Sequence, residues 1–240
     1  MKVSVVITAY NCEKFIQKAL KSVFAQTFPL KEYEVIVVND GSTDNTLNLL
    51  DKFHDRITII DQSNKGFVAA RNTGIQCVKG ENIIILDADD YLDKEILYKA
   101  VNLLECNPDY ECVYTDRYEI DIVDNTTKII SVGKDNIFNI LAAGIMFRRR
   151  VFNVIGLYAD LLFEEYDFMI RFTKEFKGYY LREPLYYYVK HGSNMTAQDG
   201  YWKKGWNQLL EKWGKDEVER WVAIQSKEEG TSRFLQFMEN

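Results

Sequence analysis

Along the first hundred residues, short apolar runs alternate with stretches whose apolar positions recur every three or four residues. Val3 to Thr8 is a β-branched run and reads as a buried strand. The stretch 13–26 then carries Phe15, Ile16, Ala19, Leu20, Val23 and Phe24 on one stripe, which predicts a helix. The pattern repeats with a strand over 33–38 and a helix over 44–53, which Ser42 or Thr43 is placed to cap. A strand over 57–60 precedes a helix over 66–77, and a strand over 82–86 precedes a helix over 93–106. Such short links predict a parallel sheet with helices on both faces. Ligands of these sheets bind beyond the carboxyl ends of the strands. The polar segments after Thr8, Val38, Ile60 and Leu86 are therefore expected to converge on one edge.

The second half is less regular. Residues 111–122 read as extended, 124–127 as a turn, 143–147 as a strand and 148–155 as a short helix. A helix is expected over 164–176, stopped by Gly178, followed by an aromatic, β-rich run over 179–189 interrupted at Pro184. Within 201–225, Trp202, Trp206, Trp213 and Trp221 are spaced by four, seven and eight residues. That spacing predicts one apolar face of a helical appendage docked on the body.

Composition narrows the partners. Of 240 residues, 47% are hydrophobic and 28% charged, an ordinary globular balance. The net charge of −6 and the lack of a basic stretch argue against a nucleic-acid binder. They also give no electrostatic reason to bind an anionic membrane tightly. Cys12, Cys77, Cys106 and Cys112 show no CxxC spacing and read as reduced thiols. No signal peptide precedes the first strand, and no apolar run approaches the ~20 residues that span a bilayer. The expectation is a cytoplasmic protein, associated at most peripherally with the inner face of the membrane.

Several polar motifs carry candidate chemistry. Asp87-Ala88-Asp89-Asp90 follows the apolar strand ending at Leu86. Carboxylates so crowded repel one another, and a divalent cation removes that cost. Mg²⁺ or Mn²⁺ uses one or two carboxylates plus substrate phosphates. The plainer reading is a solvated turn capping the next helix, although Asp93 can do that alone. Asn39-Asp40-Gly41-Ser42 ends the second strand, where Asp40 either builds a turn or accepts from a ligand N–H or ribose hydroxyl. Tyr10, in Thr8-Ala9-Tyr10-Asn11, is placed to stack on a base or simply to pack. Lys65 and Arg71 open the third helix, either toward base and phosphate or as a solvated face. Glu164-Glu165-Tyr166-Asp167 begins a helix, so its acids either complement the macrodipole or include a general base. His191 lies in a polar loop after the last strand, within reach of a diphosphate or a metal shell by order alone.

Taken together, these motifs resemble family 2 glycosyltransferases of the GT-A fold. The matching segments are Val5 to Asn11, Val38 to Asp44, Asn64-Lys65-Gly66, Ala70 to Gly74, and Leu86 to Asp90, which looks like a DxD element. Met146 to Arg149, Glu164 to Asp167 and Tyr188 to His191 resemble the acceptor-side half. The resemblance implies an α/β, Rossmann-like, mostly parallel central sheet flanked by helices. It implies a GT-A domain over 1–196, with a nucleotide-binding half at 1–108 and an acceptor half at 109–196. A helical C-terminal extension occupies 197–240.

By the same resemblance the protein is an inverting hexosyl- or N-acetylhexosaminyltransferase using a nucleoside-diphosphate sugar, with UDP as the expected nucleotide. Thr8, Tyr10, Asp40 and Arg71 would hold base and ribose, with Ala9, Lys65 and Ala88 in the same nucleotide-binding set. Asp87 would meet ribose or metal, Asp89 would ligate Mn²⁺ or Mg²⁺, and His191 would contact the diphosphate or the metal. Glu165 stands where the family usually has aspartate, which leaves Glu165 or Glu164 as the base. The acceptor would be a glycan, lipid-linked or protein-linked, in surface glycan or polysaccharide biosynthesis. Glu217 to Trp221 only partly echoes the QxxRW motif of processive members, so a non-processive enzyme is expected. Two other readings stay open. A sugar nucleotidyltransferase would show a Gly-rich basic phosphate loop near its start, and a catalytically silent nucleotide-sugar-binding protein would not turn over its ligand.

Overall fold

A computed structural model describes residues 1–133, 141, 143–197 and 199–221. Four strands form the first half of one sheet: β1 (Val3–Ala9), β2 (Tyr33–Asp40), β3 (Thr58–Gln62) and β4 (Asn82–Asp87). β1 lies between β2 and β4, parallel to both, and β2 pairs in parallel with β3. Crossover helices make this possible, and side chains leave the central strands alternately to the two faces. Val3, Val5 and Ile7 pack with α1 (Ile16–Phe24), α2 (Thr46–Asp51) and α4 (Ile96–Cys106). Val6, Ile83 and Ile85 face the opposite core, shared by α3 (Phe67–Gln76), α5 (Arg150–Ile155), α6 (Glu164–Glu175) and α7 (Tyr201–Trp213). With both faces covered, β1 and β4 bury apolar residues in unbroken runs.

The sheet continues through β5 (Tyr91–Leu92), β6 (Cys112–Asp121), β7 (Thr126–Ile130), β8 (Met146–Arg148) and β9 (Gly178–Lys190). The order is β3-β2-β1-β4-β8-β6-β9-β5, with β7 hydrogen-bonded to β6. β8 runs against β4 and β6, β7 against β6, and β5 against β9, while β6 and β9 are parallel. The sheet is thus parallel where strands alternate with helices and mixed beyond β4.

Several expected elements change in detail. The helix expected from residue 44 begins at Thr46, and its N-cap is Asn45 rather than Ser42 or Thr43; the Asp44 carboxylate just before it accepts the Thr46 N–H at 2.9 Å. Residues 126–130, the first two of which were expected as turn, form β7 as the return arm of a hairpin on β6. β9 is not broken at Pro184. Pro184 faces Asp116, and register shifts at Thr115/Asp116 and Asp116/Arg117 absorb the missing N–H. In the helical appendage expected over 201–225, α7 ends at Trp213, where Gly214 takes φ 76°, and a second helical stretch covers 215–221. Residues 134–140 and 142 of the expected acceptor half, and 198 and 222–240 of the expected C-terminal extension, lie outside the described residues. Within them, Trp206 is buried, and Trp202, Trp213 and Trp221 pack against the core that contains α6. The cysteines are unpaired, Cys12 and Cys112 buried, Cys77 and Cys106 exposed.

Candidate active site

The carboxyl ends of β1, β2 and β4 lie side by side, with Thr8 in register with both Val38 and Asp87. The loops leaving them are tied to one another. Asn11, at φ 49°, accepts the Thr43 N–H on its side-chain oxygen at 2.8 Å and donates its own N–H to Ser42 Oγ at 3.0 Å. Asp40 is buried, and its carboxylate accepts from Gln62 Nε2 (2.7 Å) and from the N–H groups of Lys65 and Gly66 (both 2.9 Å). Gly41 has φ +70°, and a Cβ there would meet the Asn64 nitrogen at 2.7 Å, so the loop lies close over the end of β2. Asp40 therefore holds the 62–66 loop. Tyr10 and the Lys65 side chain are exposed at this edge, Thr8 and Asp87 are half-buried, and Ala9 and Ala88 are buried.

Arg71 was expected to hold base and ribose, and it lies enclosed between two carboxylates. Its Nη1 donates to Glu164 Oε1, and its Nη2 donates to Asp87 Oδ1 at 3.1 Å. Only 4% of its side chain is exposed. Tyr158 covers the guanidinium with its ring at 5.3 Å. Asn72 fixes the backbone of Tyr158 in both directions, donating to its carbonyl (2.8 Å) and accepting its N–H (3.1 Å). This one cation therefore joins the end of β4 to the start of α6, and Arg71 itself stands 93 residues before Glu164 in sequence.

The other acids of the 87–90 segment diverge. Asp89 Oδ2 lies 2.9 Å from His191 Nε2. The ring's Nδ1 is 2.9 Å from Ser193 Oγ, and its face stacks on Phe15 with centroids 4.6 Å apart. Asp90 instead turns into the core, accepting the Tyr186 hydroxyl (2.6 Å) and the Val189 N–H (2.7 Å). It anchors β9 two residues before His191, a role that the acidic triplet alone did not single out. Phe15 and Tyr158 were likewise missed, because an aromatic at helical or loop spacing carries no signal beyond packing.

Burial sets the electrostatics. Desolvation pushes the Glu165 carboxyl well above the usual carboxylate range, and the adjacent Glu164 charge pushes it further. Glu164 is also raised by burial, with Arg71 opposing the rise. Asp89 is raised by burial and then by Asp87, while His191 pulls it down. Two acids thus meet at the start of α6, one paired to an arginine and the other held well above the usual carboxylate range.

No group of three or more His, Cys, Asp or Glu side chains able to hold a metal ion occurs among the described residues. Asp89 and His191 bring one carboxylate oxygen and one imidazole nitrogen to a single point. That donor pair fits a Mn²⁺ or Mg²⁺ ion whose remaining ligands come from substrate phosphates and water.

Solved structures with this architecture include Staphylococcus aureus TarS 1-349 in complex with UDP-GlcNAc (TM-score 0.68, 24% identity, 82% of this chain and 61% of that chain). The mannosyltransferase PcManGT from Pyrobaculum calidifontis, in complex with GDP-Man and Mn²⁺, superposes with TM-score 0.68 at 14% identity, over 99% of this chain and 78% of that one. These likenesses place the fold in the GT-A class. The model of glycosyl transferase family 2 matches residues 4–156, and the chain belongs to that family. Chondroitin synthase from Escherichia coli is 30% identical over 207 residues, 82% of this chain. The TarS poly(ribitol-phosphate) beta-N-acetylglucosaminyltransferase of S. aureus is 36% identical over 109 residues, 44% of this chain. The chain spans 30% of the length of the first and 19% of the second. Among the described residues no helix is long and apolar enough to cross a membrane.

Proposed function

We propose that this protein transfers a hexosyl or N-acetylhexosaminyl group from a UDP-sugar to an acceptor hydroxyl with inversion, in a non-processive reaction of surface glycan or polysaccharide synthesis. The observation that carries the reading is the Arg71 bridge. It sets the acidic pair Glu164-Glu165 beside Asp87, at the edge where Asp89 and His191 meet. Family membership and the UDP-GlcNAc complex of TarS support the donor class.

On this reading the exposed Tyr10 and Lys65, with Thr8 and Asp87, face the nucleotide. Asp40 and Arg71 shape the walls by holding the 62–66 loop and the 87–164 junction. Asp89 and His191 would hold the divalent cation, which supplies charge neutralisation to the departing diphosphate. Glu165, kept protonatable by burial and by Glu164, takes the acceptor proton as the acceptor oxygen attacks the anomeric carbon from the face opposite the leaving group. Glu164 holds Arg71 in place and is less free to act as base. General-base assistance of this kind is worth roughly 10²–10⁴-fold in rate.

The first test is thermal stability against UDP, GDP, CDP and TDP, each with and without Mn²⁺. A ligand at about 100 times its dissociation constant adds about 2.7 kcal/mol. A Mn²⁺-dependent shift with UDP supports the donor site, and a shift with GDP alone replaces UDP by GDP. No shift with any diphosphate sinks the reading.

A further inference from the structure

The segment that carries the acidic pair is gripped from α7, a helix beyond the residues that the family model matches. Leu162 donates its N–H to Gln208 Oε1 (2.9 Å), and its carbonyl accepts the Tyr201 hydroxyl (2.9 Å). The buried Phe163 packs edge-on against Trp206, with centroids 5.1 Å apart. Tyr166 stacks on the same indole at 5.9 Å. Asp167 has no exposed surface, accepts from Trp213 Nε1 (3.0 Å) and pairs with Lys212 Nζ (2.6 Å). Between these points of attachment stand Glu164 and Glu165, and Glu164 turns to Arg71.

The first turn of a helix is where this matters most. α6 begins at Glu164, and N–H groups there lack intrahelical partners. The position of first-turn side chains is therefore set by whatever holds the entry rather than by the helix ladder. Here both peptide groups of Leu162, the last residue before the N-cap Phe163, are taken by side chains of α7. A base must lie within about 2.6–3.2 Å of the proton it removes. A misplacement of about 1 Å can cost 10²-fold in rate.

We propose that α7 positions the acidic pair for the chemical step: Tyr201 and Gln208, through the peptide groups of Leu162, fix where Glu164 and Glu165 meet the acceptor and add nothing to donor binding. The inference rests on the reading that this pair supplies the base. Tyr201 and Gln208 are positioning residues, since they act through Leu162.

The test uses the full chain carrying Tyr201→Phe and Gln208→Met, which keeps ring and chain bulk and removes both polar atoms. Hydrogen exchange needs no substrate: amides of 162–167 should exchange at least about tenfold faster, with those of β1 and β4 unchanged. With UDP-GlcNAc and Mn²⁺ as probes, kcat for UDP release should fall about tenfold, while donor KM and UDP affinity stay at parent values. Tyr201→Phe with Gln208→Glu restores an acceptor for the Leu162 N–H and should recover most of the loss. Parent-like exchange, parent-like kcat, or a loss shared equally with UDP affinity overturns the proposal. Glu165→Gln and Glu164→Gln separate the two ideas. If one is inactive while the double variant matches the parent, the base reading survives and only the positioning fails. If both turn over at the parent rate, the base reading fails, and the positioning proposal falls with it.

Discussion

The imidazole Nε2 of His191 lies 2.9 Å from Oδ2 of Asp89, although 102 residues separate them. The chain returns to this point because Asp90 takes the Val189 N–H and so pins the end of β9 beside the end of β4. If the pair holds the cation, Asp89→Ala should abolish the Mn²⁺-dependent part of nucleotide stabilisation, and His191→Ala should reduce it. Because the Asp89 side chain is 30% exposed, Asp89→Ala should cost little stability in the apo protein. Thermal melts with UDP, with and without Mn²⁺, read both effects. A full Mn²⁺ response in Asp89→Ala would remove these residues from the metal site.

Arg71 supports a second prediction, on stability. Removing one partner of a buried ion pair leaves an uncompensated charge and costs about 3–5 kcal/mol. Arg71→Met should therefore destabilise by that order in urea titrations. The loss depends on pH. Burial already raises the Glu164 carboxyl and Arg71 opposes the rise, so without Arg71 its folded pKa climbs further. The folded variant then holds a proton that the unfolded chain releases in the ordinary carboxylate range. Its stability is retained at low pH and lost as pH rises, so the deficit should be smaller at pH 5 than at pH 8. A deficit that grows toward acid would show that the pair does not behave as a buried ion pair.

The strand–helix alternation of the first half and the edge where its loops converge were legible in the sequence, because continuous apolar runs mark strands buried on both faces and period-3.6 stripes mark helices buried on one. β7 was not, since all but one of its residues are exposed and no apolar alternation marks it. Nor was the continuity of β9 through Pro184, which depends on extra residues bulged out of β9 itself on either side of the Asp116 pairing. At the site, the motif residues were visible but their directions were not. Asp89 and Asp90 are neighbours in the sequence, yet one meets His191 and the other Tyr186. Which way a carboxylate points depends on a partner about a hundred residues away, and no local pattern records that.

The proposed base gives a prediction in pH. Burial and the Glu164 charge hold the Glu165 carboxyl well above the usual range, and a base works only when deprotonated. At saturating donor, kcat should therefore rise with pH through a limb above the ordinary carboxylate values. Glu164→Gln removes the neighbouring charge and should move that limb to lower pH. Stability should run the opposite way. With the folded pKa raised, this group's contribution is fully present below the unfolded value and is lost as pH rises through the folded one. A limb that stays in place in Glu164→Gln would separate Glu165 from the rate-controlling ionisation.

Gly205 decides how tightly α7 lies on the entry to α6. A Cβ there would sit 2.5–2.7 Å from ring atoms of Phe163, a ring already enclosed by Tyr201, Trp202 and Trp206. Two effects oppose each other in Gly205→Ala. Alanine gains about 1 kcal/mol over glycine in a helix interior. Overpacking a filled core costs about 1–3 kcal/mol. The clash involves a buried aromatic ring rather than the end of a flexible chain, so overpacking should win, with a net loss of roughly 1 kcal/mol in urea titrations. Because Phe163 immediately precedes the acidic pair, kcat should fall more than the stability loss implies, and nucleotide affinity should hold. An alanine variant more stable than the parent, with unchanged kcat, would show that α7 has room to move away from Phe163.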